Sequence, residues 1–225
     1  MSEADLNTLC RIEAKKDGYC STGCGVMISP RRVLTALHVV SGGKDLTFIS
    51  PEGRRTFMKR KPDGGVHIID KDLDLAVIEL QASLCEDFAL VNFHGLEKTR
   101  ASRQLFRGRG WLGTMFGGAA KGHEVTFDPL MHEVESMHSH AIAFQAAVRA
   151  EPGYSGSAVF GSDGCTVVSI ATTIAPKRQE MEVQMSQMLG GTPKISFNGP
   201  SPDAFSSFMR KVNNRTGFLP GGPTA

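Results

Sequence analysis

Three short segments of this chain hold residue types that could together carry out acyl transfer. In EPGYSGSAVF, Ser155 stands among small residues, Gly153-Tyr154-Ser155-Gly156. Such a turn lets the backbone bend sharply and present N–H groups and a hydroxyl to one point, so the N–H groups of Gly153 and Ser155 are candidate donors to an oxyanion. His38 lies in the apolar run LTALHVV, where an imidazole must find hydrogen-bond partners. Asp74 opens DLAVIEL, a carboxylate at the mouth of an otherwise apolar strand. A serine that attacks a carbonyl at neutral pH needs a base to take its proton, an acid to orient that base and backbone donors for the oxyanion. Taken singly, the segments also read as a tight turn, a core histidine and a turn acid. In the order His, Asp, Ser they suit a base and an orienting acid from one unit and a nucleophile from a second. Asp70 and Asp72 stand close enough to compete with Asp74, but only Asp74 directly opens the apolar strand.

The elements that must position these residues read as β structure. A hairpin is expected from runs 25–29 and 33–40, separated by Ser29-Pro30, followed by strands at 46–49, 66–69, 75–80 and 88–93. A basic, polar stretch at 95–109 interrupts the pattern. It resumes at 110–116, 123–127, 140–149, 157–160, 166–173 and 194–197. Ser201-Pro202-Asp203 ahead of AFSSFMRKV supplies a cap, a proline for the first turn and an acid at the positive end of a short helix. The expected architecture is all-β: two six-stranded antiparallel β-barrels with a short C-terminal helix. The first barrel spans 1–94 and carries His38 and Asp74, 95–109 links the barrels, 110–200 forms the second barrel with Ser155, and 201–225 is helix and tail.

Composition agrees with a globular protein of this kind. The 225 residues are 40% apolar and 21% charged, and 25 glycines and 11 prolines supply the turns that many short strands need. A net charge of +2 is too small to imply nucleic-acid or membrane binding by the whole chain. The N-terminal residues mix acids and bases where a signal peptide would be apolar, and no run is long enough to span a membrane. Five cysteines at irregular spacing argue against a disulfide framework and for a reducing compartment. Cys20 and Cys24 could be half of a zinc site, but no second pair of matching spacing follows, so no metal and no organic cofactor is expected. Met181, Met185 and Met188 recur at helical spacing and read as core packing. The G-x-G-x-x-G of GRGWLG precedes strand-type residues and not a helix, which removes the dinucleotide reading. His132, His138 and His140 lack partners at a metal spacing and read as loop histidines.

The stretch GCGVMISPRRVLTALHVV resembles the segment around the catalytic histidine of trypsin-like serine proteases, DLDLAVIEL resembles their segment around the aspartate, and AEPGYSGSAVFGSDGCTVVSIATT resembles their P-G-x-S-G stretch with its following hairpin. The likeness is greatest to HtrA-like proteases and to polyprotein-processing proteases of sobemovirus and nidovirus type. It implies Ser155 as nucleophile, His38 as general base and Asp74 as the orienter of His38. Ala158 replaces the proline common after the serine, Ser157 replaces a second glycine, and no cysteine adjoins His38; none of these changes touches a reacting group. The residues after the nucleophile's hairpin leave no room for the PDZ domain of typical HtrA proteins, which favours a viral polyprotein-processing enzyme of the host cytoplasm, membrane-associated within a larger precursor. A stand-alone HtrA-like housekeeping protease and a catalytically silent protein- or RNA-binding module are the alternatives. By the same resemblance the substrate pocket is lined by Arg149, Ala150, Ala171, Thr172 and Thr173. Arg149 would select Asp or Glu if it points inward, whereas pointing outward it pairs with Glu151. Arg100, Arg103, Arg107 and Arg109 form a basic run that could meet RNA, with a solvated linker as the ordinary alternative.

Overall fold

The computed structural model describes residues 8–16, 19–43, 45–58, 67–94, 106–112, 121–133, 141–146, 153, 155–161, 165–174, 188 and 195–217. Strand β1 (Leu9–Lys16) alternates, burying Cys10, Ile12 and Ala14 while Arg11, Glu13 and Lys15 turn outward. It pairs antiparallel with β2 (Tyr19–Ser29) on one side and β4 (Asp45–Ile49) on the other. With β3 (Arg32–Ala36), β5 (Arg55–Phe57), β6 (Ile68–Asp70) and β7 (Leu75–Glu79) these form a seven-stranded antiparallel sheet, ordered β5-β4-β1-β2-β3-β7-β6. A bridge between Met58 and Leu80 joins the chain just past β5 to the chain just past β7, so the sheet curls on itself.

The second sheet has eight strands: β8 (Leu90–Val91), β9 (Phe106–Leu112), β10 (Lys121–Glu133), β11 (Ala141–Ala146), β12 (Ala158–Phe160), β13 (Thr166–Ile170), β14 (Thr173–Ile174) and β15 (Ile195–Pro200). Their order is β14-β15-β11-β10-β9-β12-β13-β8. The Ser169 hydroxyl of β13 donates to the Pro200 carbonyl of β15 at 2.6 Å, drawing together strands that four others separate in the sheet order. The all-β class with a C-terminal helix is as expected, and among the described residues the two sheets hold seven and eight strands where six and six were read.

Several elements differ from expectation for identifiable reasons. β1 escaped notice because its polar face is wholly charged, which leaves short apolar residues as the only strand signal. Residues 37–40 are not strand: α1 (Leu37–Val40) is one helical turn, with Val39 and Val40 buried and His38 exposed. The segment read as the last strand of the first barrel contributes β8 to the second sheet, parallel to β13 through Leu90↔Thr166 and Val91↔Val167. β9 begins at Phe106, so the last residues of the expected 95–109 linker are strand, among them Arg107 and Arg109. Glycines at 108 and 110 had hidden its period. Met188 is 87% exposed and so is not core, whereas Met181 and Met185 lie outside the described residues.

Helix α2 (Pro202–Thr216) starts as its sequence dictates: the Ser201 hydroxyl accepts the Ala204 N–H at 3.3 Å, Pro202 occupies the first turn and Asp203 faces the positive end of the dipole. Phe205, Phe208, Met209 and Val212, at helical spacing, are buried in the core. Each such side chain contributes roughly 1.5–3 kcal/mol of burial. Polar bonds fix the helix against the rest of the chain, Arg210 Nε–H to the Phe93 carbonyl at 2.9 Å and Arg32 Nη2–H of β3 to the Thr216 carbonyl at 3.2 Å. All five cysteines fall within the described residues and none is in a disulfide. Burial, with the nearby carboxylates of Glu52 and Asp87, pushes the Cys85 thiol up to about 11, and burial raises Cys10 likewise. Among the described residues no helix is long and apolar enough to cross a membrane.

Candidate active site

The helical turn α1 lifts His38 out of an apolar run and points it at the start of β7. β3 and β7 are adjacent, with Ala36 opposite Leu75, so the residues just beyond each end, Leu37 and Asp74, meet. The Leu37 N–H donates to the Asp74 carbonyl at 2.8 Å. Both Asp74 carboxylate oxygens then take His38: Oδ1 accepts its backbone N–H at 2.9 Å and Oδ2 faces ring Nδ1 at 2.6 Å. A carboxylate can only accept, so in the neutral imidazole the ring proton sits on Nδ1 and the lone pair on Nε2. The Asp74 side chain is 15% exposed and that of His38 45%, so the acid is shielded while the imidazole remains open to solvent.

Asp74 adopts φ 54°, the sole positive φ outside glycine among the described residues. A left-handed aspartate costs about 1 kcal/mol, which the three hydrogen bonds it receives offset. Asp70, the competing acid, has another task. Its Oδ1 accepts the N–H groups of Asp72 and Leu73, both at 3.1 Å, which shapes the turn leading to Asp74.

Ser155 lies between strands β11 and β12, half-buried, in a turn whose backbone needs glycine at two places. Gly153 has φ 115° and Gly156 φ 86°. The turn is pinned at several points: the Ser155 carbonyl accepts the Cys24 N–H at 2.8 Å, the Gly156 N–H donates to the Ala171 carbonyl at 2.8 Å, and the Ala171 N–H donates to the Ser157 carbonyl at 2.9 Å. Gly23 links this turn to the histidine. A Cβ built there would fall within 2.6 Å of Val39 and 3.1 Å of the Ser155 carbonyl, so the residue after His38 and the backbone of Ser155 rest on the same glycine. No hydrogen bond joins the Ser155 hydroxyl to His38 among the described residues. Such contacts are commonly loose before substrate binds.

Of the expected pocket residues, Ala171 and Thr172 are buried behind the Ser155 turn and Thr173 opens β14. Arg149 and Ala150 lie outside the described residues, as do Arg100 and Arg103 of the basic run. Residue-by-residue reading missed Cys24 and Thr35. The Cys24 thiol donates to the Gly153 carbonyl at 2.9 Å, and the Thr35 hydroxyl donates to the Cys24 carbonyl at 2.6 Å. The flanking glycines of Gly23-Cys24-Gly25 were the available signal, since they mark a place where another backbone approaches closely.

Gly156 is the tightest point. A Cβ there would overlap the Cys24 carbonyl oxygen and sit 2.5 Å from Thr35 Oγ1, at a φ that an L-residue disfavours. Left-handed strain of about 1–2 kcal/mol and overpacking of about 1–3 kcal/mol together predict that Gly156→Ala loses roughly 2–5 kcal/mol of stability. Urea unfolding monitored by Trp111 fluorescence and by circular dichroism measures this. A wild-type midpoint would show that the turn does not pack against β2 as described.

The family described as trypsin-like peptidase domain matches residues 23–168, a span that includes Cys24, His38, Asp74 and Ser155. No curated protein matches the chain. Among solved structures, the HtrA-type protease AlgW with a tripeptide superposes with a TM-score of 0.65 at 18% identity, covering 96% of this chain and 65% of that one. The Rv3671c protease from M. tuberculosis in its active form gives 0.62 at 16% identity over 99% of this chain and 85% of the other. The serine endoprotease from Yersinia pestis gives 0.59 at 14% identity over 96% and 66%. At these identities the likeness is one of fold, and this chain spans about two thirds of the AlgW chain.

Proposed function

Because the chain belongs to the trypsin-like peptidase domain family, we propose that it is a serine endopeptidase in which Ser155 is the nucleophile, His38 the general base and Asp74 the residue that orients His38. The observation that carries this reading is the two-point hold of Asp74 on His38, at 2.9 and 2.6 Å. With the proton kept on Nδ1, Nε2 is free to take the Ser155 hydroxyl proton as Oγ attacks the scissile carbonyl. The imidazolium so formed is stabilised by the Asp74 carboxylate. The N–H groups of Gly153 and Ser155 receive the charge that develops on the carbonyl oxygen, a contribution worth about 3–4 kcal/mol per donor. His38 then returns its proton to the leaving amine, and a water activated by the same imidazole releases the acyl group from Ser155. Ala171, Thr172 and Thr173 form a wall of the pocket for the substrate residue before the scissile bond.

The substrate proposed is a viral polyprotein that includes the enzyme's own precursor, supported by the motif resemblance around His38, Asp74 and Ser155. The second reading, a housekeeping protease of HtrA type, is favoured by the structural likeness to HtrA-type proteases. A fluorophosphonate probe tests the chemistry shared by both: one adduct per folded chain is expected, mapped to Ser155 by peptide mass spectrometry. Absence of an adduct, or an adduct on another residue, overturns the endopeptidase reading. Incubation with a longer precursor and with unfolded casein then separates the two substrates. Discrete junction products support polyprotein processing, and preferential digestion of casein supports the housekeeping role.

A further inference from the structure

Cys24 lies near the middle of β2 with no exposed surface, and it grips the nucleophile turn twice. Its backbone N–H holds the Ser155 carbonyl at 2.8 Å and its thiol holds the Gly153 carbonyl at 2.9 Å. The two residues so held are the two whose N–H groups would face the oxyanion. The grip is itself braced, because the Thr35 hydroxyl donates to the Cys24 carbonyl at 2.6 Å from a strand that ends two residues before His38. Gly156 closes the arrangement by packing against the same carbonyl.

We propose that Cys24 is a positioning residue for the oxyanion hole, acting through the hydrogen bond from its thiol to the Gly153 carbonyl. Glycine at φ 115° has no Cβ to restrict its rotation, so the direction of its N–H must be set by contacts made elsewhere on the residue. A bond to its carbonyl fixes the peptide plane that follows and so restricts the rotation about Cα on which the N–H direction depends. Oxyanion stabilisation depends on donors fixed before the reaction begins, so loosening Gly153 weakens transition-state binding and leaves substrate binding intact. A buried cysteine acting only as a small apolar filler has no use for a donor. Serine and alanine therefore divide the two roles.

The catalytic consequence rests on the endopeptidase reading; the positioning of the turn does not, and the experiment reads them separately. Cys24→Ala removes little volume, and its fold is verified by urea unfolding. It is expected to lower kcat roughly 10–100-fold with KM changed less than about twofold, since a donor is misdirected and not deleted. Cys24→Ser, which keeps an O–H donor, is expected to recover most of that loss. Amide hydrogen exchange over residues 153–157, measured in a Ser155→Ala background, needs no turnover. Exchange there is expected to quicken at least about tenfold in Cys24→Ala and to remain near the parent rate in Cys24→Ser. Unchanged kcat and exchange in Cys24→Ala, or equal losses in alanine and serine variants, overturn the proposal. Should no variant, wild type included, react with fluorophosphonate while exchange still separates alanine from serine, the endopeptidase reading falls and the hold of Cys24 on the turn stands.

Discussion

Ser155→Ala is expected to lower kcat by about 10⁶-fold, leaving a residual rate still about 10³–10⁴ above the reaction in water. The loss is this large because the serine hydroxyl is the only group that can form the acyl-enzyme in the proposed site; without it, His38 can at best activate a water in its place. The residue expected from the oxyanion donors survives, since alanine keeps the backbone N–H at 155. Stability is expected to stay within about 0.5 kcal/mol of wild type, the scale of a substitution that disturbs no packed or hydrogen-bonded group. The Ser155 carbonyl, not its side chain, anchors the turn to Cys24. Single-turnover hydrolysis of a peptide ester, alongside urea unfolding, checks both halves. Cleavage within tenfold of wild type would remove Ser155 from the nucleophile's role.

Asp74→Asn is expected to cost about 10⁴-fold in kcat at pH 7 with KM little changed. Asparagine is nearly isosteric and tolerates the left-handed conformation at φ 54°, so the turn from Asp70 to Leu75 should keep its shape. The change is in proton placement. The side-chain carbonyl of asparagine can still accept the His38 backbone N–H, which leaves the amide NH₂ facing Nδ1. A donor opposite Nδ1 demands a lone pair there, and the ring proton moves to Nε2, where the proposed base must be unprotonated. Nitrogen NMR of the imidazole reports the tautomer directly, with the proton expected on Nδ1 in wild type and on Nε2 in the variant. A kcat within tenfold of wild type would show that Asp74 does not govern His38. Asp70→Asn should behave differently: its contacts are to the backbone of Asp72 and Leu73 and, at 3.9 Å, to the exposed Lys211, a pair of the kind that contributes little.

Cys24 and Gly156 show how the turn that holds Ser155 is built on contacts from a distant strand. The thiol and the carbonyl it holds are 129 positions apart in the chain. The turn sits against β2, and β2 pairs with β3, which leads directly into α1 and His38. Substitutions at Gly23, Cys24, Gly25 or Gly156 therefore bear on the placement of Ser155 and the His38 turn together. The Cβ contacts at Gly23 and Gly25, with Val39 and Val33 respectively, make the same point for neighbouring positions.

What the sequence determined by itself was local. An apolar strand opened by an acid, a histidine in an apolar run, a glycine-flanked serine and a Ser-Pro-Asp helix start are short-range patterns, and each is legible because the physics behind it acts over a few residues. The structure pairs Asp74 with His38 and begins α2 at Pro202. Only the tertiary structure decided the rest. LTALHVV carries no periodicity that separates strand from helical turn, and α1 forms because the N–H groups of Leu37 and His38 find their acceptors on Asp74, 36 residues downstream of the histidine. Leu90–Val91 carries no local mark of its sheet, and its partner β13 lies some 76 residues further along the chain, Leu90 opposite Thr166. Asp70 and Asp74 are chemically alike, and their different work follows from which backbone groups each can reach. Cys24 looked incidental because a thiol's partner, unlike a strand's period, leaves no mark in neighbouring residues.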